Sequence, residues 1–122
     1  MNAQQILSQI QQARQQRPHF LEKMKQRQKE GLKVAKQSAD ILKKQFSVTR
    51  VVLFGSLLNP ETISPHSDID LAVWGLPETD LFRAGAMIER GHQFTIDLVE
   101  AEKVKPHILK AIHQGIELRQ FP

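Results

Sequence analysis

Three short apolar runs constrain this chain more than any other feature in it: residues 48–54 (VTRVVLF), 69–74 (IDLAVW) and 94–99 (FTIDLV). Each is rich in β-branched or aliphatic residues, and the first two end on turn signals, so the three read as strands. Gly55-Ser56 ends the first run and Gly75 with Pro77 ends the second, while Asn59-Pro60 and Ser64-Pro65 mark a loop between them. Residues 79–90 read as a helix capped by Thr79, with Leu81, Phe82, Met87 and Ile88 on its apolar face and Gly91 as its stop. Residues 105–114, with Pro106 near the start, predict a last helix, and 116–118 predict a short fourth strand.

The chain before Ser47 has a different period. Ile6, Ile10 and Ala13 recur at spacings of four and three, and Pro18 interrupts them or opens a second helix. That second helix is expected over 19–46, with Leu32, Ala35, Ala39, Leu42 and Phe46 as one apolar stripe and Gly31 as a weak point. Helices first, then strands alternating with helices, give an α/β (α+β) domain: a small mixed sheet of three to four strands with flanking helices. At 122 residues and 40% apolar content the chain suits one domain with a modest core and is not a disordered chain. It has no cysteine, which excludes disulfides, zinc fingers and thiol nucleophiles. No run is long and apolar enough to cross a bilayer, and the polar, glutamine-rich start shows no secretory signal, so the expected location is the cytoplasm.

Charge is unevenly spread. Residues 1–46 carry ten Lys or Arg against three acids, whereas 47–122 carry seven against ten. A basic first third invites a nucleic-acid reading. Only Phe20 and Phe46 interleave aromatics there, so a solvated or protein-docking face is the expectation and direct nucleic-acid binding is not. His66 reads as a loop histidine and Trp74 as core or interface; His92, His107 and His113 share no ligand spacing.

The chemistry lies in three aspartates. Asp68 and Asp70, two apart at the start of a strand, project to one face. Asp97 sits among apolar residues in the third run. Clustered carboxylates repel, and a divalent cation relieves that; Mg²⁺ takes carboxylates together with substrate phosphates. Three carboxylates can also hold two metals, the arrangement that serves nucleotidyl transfer. Gly55-Ser56, directly after a strand, allows backbone N–H groups and a hydroxyl to approach a phosphate chain. Taken singly, Ser67-Asp68 is a turn cap, Gly55-Ser56 a strand end and Asp97 a solvent-facing edge residue. Taken together they are far more specific.

That combination resembles the DNA polymerase beta-like nucleotidyltransferase superfamily, and most of all its minimal members, the MNT domains paired as antitoxins with HEPN-domain toxins. The residues that carry the likeness are FGS (54–56), SDIDLAV (67–73) and the aspartate of FTIDLVE at Asp97. It spans about 48–100, and divides the chain into an N-terminal helical extension, 1–46, and a minimal nucleotidyltransferase domain, 47–122. The resemblance implies Mg²⁺-dependent transfer of AMP from ATP to a hydroxyl of a HEPN ribonuclease toxin, in a hetero-oligomer with that toxin and away from membranes. In that pattern Gly55 and Ser56 hold the triphosphate, Asp68 and Asp70 carry the metals, expected as two Mg²⁺, and Asp97 joins them and helps activate the acceptor. Many such domains follow the glycine-serine pair with a basic residue and a glycine; here the stretch is Leu57-Leu58-Asn59-Pro60. Two other functions fit the same residues: a non-catalytic antitoxin acting by occlusion, and a small-molecule nucleotidyltransferase.

Overall fold

The computed structural model describes residues 2–119. A single long helix, α1 (Ala3–Gln45), comes first. It opens on a reciprocal cap: Asn2 Oδ1 accepts the Gln5 N–H at 2.8 Å, and the Gln5 side chain accepts the Asn2 N–H at 3.0 Å. These bonds satisfy two N–H groups that no helical carbonyl can reach. Contrary to expectation, the helix runs straight through Pro18, so the two helices anticipated before Ser47 are one. Proline removes one N–H and crowds the preceding turn. Here Arg14, whose carbonyl loses its partner, is exposed, and water can take that carbonyl.

Ahead of Met24, α1 offers Ile6, Leu7, Ile10, Phe20 and Leu21 to solvent. From Met24 onward it joins the core, and the expected stripe through Ala35, Ala39, Leu42 and Phe46 is buried.

The sheet contains β1 (Arg50–Phe54), β2 (Ile69–Trp74), β3 (Ile96–Glu100) and β4 (Ile116–Glu117), in the order β3-β2-β1-β4. β1 runs antiparallel to β2 and β4, and β2 runs parallel to β3. The mixed α/β architecture expected from the sequence is therefore present. β1 and β3 each begin two residues inside their apolar runs, yet Val48 and Phe94 are buried, because apolarity marks burial and not strand pairing.

Strand alternation sends Val51, Leu53, Leu71 and Val73 into the main core beneath α1 and α2 (Leu81–Ile88). The opposite face carries Val52, Phe54 and Ala72, which pack with Ile112 of α3 (Pro106–His113). Trp74 packs on this second cluster, with the Arg50 guanidinium 4.2 Å from its ring centre.

The segment 79–90 departs from expectation in two ways. A short 3-10 turn over Glu78–Asp80 precedes α2, and no side chain caps α2, so Thr79 does not serve as its cap. Phe82 is 93% exposed, because Ala84 and Ile88 set the buried face and position 82 falls on the opposite side of the helix. The end of α2 uses a device absent from the sequence reading: His92 Nδ1 accepts the Phe94 N–H at 3.1 Å, leaving Nε2 to donate to the Ile88 carbonyl at 2.6 Å. No described helix is long and apolar enough to cross a membrane.

Candidate active site

Sheet register assembles the site. In β1–β2 pairing Phe54 faces Asp70, and in β2–β3 pairing Asp70 faces Asp97. In-register neighbours on parallel strands put their side chains on the same face, with the backbones about 4.8 Å apart. The two aspartates thus stand side by side at the end of the sheet face that α3 covers. Asp68 precedes β2 by one residue and is exposed, as is Asp97, whereas Asp70 is half-buried.

The electrostatics follow from this placement. Burial, then the charge of Asp97, then that of Asp68 lift the Asp70 pKa from 3.8 to about 6. Among the described residues none of the three has an ion-pair partner. The protein has gathered negative charge here without supplying its own counter-charge. Among those residues, too, no three acidic or histidine side chains already stand close enough to hold an ion. The fold brings Asp70 and Asp97 together and leaves Asp68 at the rim.

Gly55 adjoins the pair directly. It ends β1 at φ +92°, a conformation that side-chain-bearing residues rarely adopt, and a Cβ there would collide with the Asp70 carboxylate. A 3-10 turn over Ser56–Leu58 follows, and no side chain caps its leading N–H groups. Beside it lies a cavity of about 500 Å³ whose walls include Gly55, Ser56, Asn59, Thr62 and Gln114. Hard carboxylate oxygens with no counter-charge, next to a glycine whose position admits no side chain, are donor chemistry that suits Mg²⁺ and a phosphate chain.

A supporting layer that the sequence did not announce holds these parts in place. Ser67, 5% exposed, accepts the Ser64 N–H through Oγ at 2.8 Å, and its hydroxyl lies 3.3 Å from that of Ser56. The turn-capping role considered for Ser67 is thus present, and it joins the glycine-serine turn to the SDID segment. From α1, the Arg27 guanidinium donates to the Ser67 carbonyl at 2.9 and 3.3 Å while resting 3.8 Å from the centre of the Phe94 ring. Gln28 Nε2 donates to the Leu57 carbonyl at 3.0 Å. Neither Arg27 nor Gln28 has a local signal that separates it from the other polar residues of α1. His66, read as a loop histidine, is exposed, and its N–H donates to Ser64 Oγ.

A family model described as "Polymerase beta, Nucleotidyltransferase" matches residues 36–120, beginning inside α1 and running through every strand. No curated protein matches the chain.

Proposed function

This chain belongs to the polymerase beta nucleotidyltransferase family, and we propose that it is a minimal antitoxin of that family, moving AMP from ATP onto a hydroxyl of a HEPN ribonuclease toxin. The observation that carries the chemistry is the Asp70–Asp97 pair, set in register beside Gly55, whose position admits no side chain. Asp68, Asp70 and Asp97 would hold Mg²⁺, which supplies neutralisation of charge on the phosphates and on the reacting oxygens.

The remaining work falls to the chain's own groups. The uncapped N–H groups of the turn after Gly55, with the Ser56 hydroxyl, bind the phosphates. The acceptor oxygen forms its bond to the α-phosphorus as the bond from that phosphorus to the bridging oxygen breaks, and pyrophosphate departs. Asp97, exposed at the mouth of the site, takes the proton from the acceptor hydroxyl. A nucleotide on the toxin adds negative charge where an RNA phosphate would otherwise bind, and like-charge repulsion then disfavours the RNA.

The test is intact mass spectrometry of the HEPN protein after incubation with this chain, ATP and Mg²⁺. Added AMP, absent when Asp68→Asn/Asp70→Asn protein is used, is the expected result. A toxin that stays unmodified yet is inhibited by both forms would replace transfer with neutralisation by occlusion.

A further inference from the structure

The cavity beside Gly55 does not end there. It shares Leu58 and Gln114 with a second of about 540 Å³. The second shares Leu32 and Ile116 with a third of about 360 Å³. The third shares Lys36, Leu118 and Arg119 with a fourth of about 260 Å³. Together they trace one groove along the seam between α1 and β4, starting at the glycine-serine turn and ending near Lys43.

The groove is basic. Lys25, Lys29, Lys36 and Lys43 line it from α1, at spacings of four and seven that keep them on one side of the helix. Among the described residues, Lys25, Lys29 and Lys36 make no ion pair. The acids beside it are already engaged: Glu117 lies 2.6 Å from Arg50 and 3.3 Å from Arg119, and Asp40 lies 3.5 Å from Lys44. Its floor is aliphatic, with Leu32, Ile116 and Leu118. β4 is the last strand of the sheet, so one of its backbone edges has no strand neighbour among the described residues.

We propose that this groove docks the acceptor polypeptide, which lays an extended acidic segment along it and so brings its hydroxyl toward the Gly55 end. This rests on reading the chain as a transferase acting on a protein. Carboxylates of the segment meet Lys25, Lys29 and Lys36, alternate aliphatic side chains meet Ile116 and Leu32, and its main chain can bond the open edge of β4. A single-stranded RNA is the poorer occupant. The three cavities beyond the turn have no aromatic wall residue on which bases could stack.

The test is fluorescence anisotropy with three labelled probes: a short peptide of alternating Glu and Val, its Gln and Val counterpart, and oligouridine. The Glu peptide should bind best. Lys29→Glu/Lys36→Glu should weaken it by about tenfold or more, as expected when charges at a contact are reversed. Lys23→Glu/Lys105→Glu has the same net charge but lines none of these cavities, and it should leave the affinity within about twofold. Equal losses in the two variants, or tighter binding of oligouridine than of the Glu peptide, would overturn the proposal. Thermal stabilisation by Mg²⁺ and ATP is read in parallel. If that response persists in Lys29→Glu/Lys36→Glu while the wild type ignores the Glu peptide, the groove is wrong and the transferase reading stands. If the peptide binds as expected but the wild type shows no such response, the groove stands and the transferase reading fails.

Discussion

Replacing Asp70 by asparagine should stabilise the ion-free protein while removing its activity. Asp70 is held half-buried next to Asp97 and within the field of Asp68, and its pKa is lifted from 3.8 to about 6. Between those values the folded chain binds a proton that the unfolded chain has released. The stability associated with that proton is fully present below about pH 4 and is lost as the pH rises through about 6. At full value the rise corresponds to about 3 kcal/mol, and screening of a half-exposed group by water and salt reduces this to roughly 1–1.5 kcal/mol. An asparagine at this position would carry no charge to repel, and its amide can donate to Asp97. In EDTA at pH 7.5, Asp70→Asn should therefore unfold about 3–6 °C above the wild type, and the gap should close toward pH 4. Circular dichroism melts across that range measure it directly, and other carboxylates cancel because both proteins carry them. High salt should narrow the gap. Adding Mg²⁺ with ATP should raise the melting temperature of the wild type alone. An Asp70→Asn variant that melts at or below the wild type at pH 7.5, or a gap that ignores pH, would refute the account of crowded carboxylates.

Two other substitutions test the surroundings of the pair. Gly55→Ala places a Cβ against the Asp70 carboxylate at a positive φ; it should lower stability by about 1–2 kcal/mol and abolish the thermal response to Mg²⁺ and ATP. An unchanged response in a folded Gly55→Ala protein would remove the turn from the site. Arg27→Gln keeps a donor but loses the charged fork on Ser67 and the stack on Phe94; denaturant unfolding should show a loss of about 1–2 kcal/mol. Its kcat should fall while its KM for ATP holds, and a variant with wild-type kcat would deny Arg27 any part in positioning the SDID segment.

The carboxylates were legible in the sequence because a strand rarely gives an interior position to aspartate. Asp70 in IDLAVW and Asp97 in FTIDLV break apolar runs, and that break is a local signal. Their meeting is not local. It depends on the parallel register of β2 with β3, in which Asp70 opposes Asp97. A slip of one residue would send Asp97 to the core face and bring Leu98 out, so burial of Ile96 and its neighbours fixes a register that no short segment encodes. The three aspartates read as one cluster appear in the fold as a register pair plus an exposed third for a related reason. Asp68 lies in the loop before β2, where no ladder dictates its direction.

The supporting layer was hidden because each of its members obeys an ordinary local rule. Arg27 is one more base on a polar helix until the fold carries Ser67 and Phe94 to it. Gly31 shows the same conflict from the other side. Read locally it weakens the helix, by about 1 kcal/mol relative to alanine. In the fold it lies against the turn after Gly55: a Cβ at position 31 would stand 2.6 Å from Leu57 Cδ2 and 3.3 Å from Phe94. Leu57 is wholly buried and belongs to the turn that follows Gly55. The loss of helix propensity at Gly31 thus lets Leu57 pack against the helix, while four residues earlier Arg27 grips the Ser67 carbonyl in the loop that leads into β2. α1 therefore supports both segments: Gly31 makes room for Leu57 and Gln28 holds its carbonyl, Arg27 holds the carbonyl that precedes Asp68, and all three lie on one continuous helix.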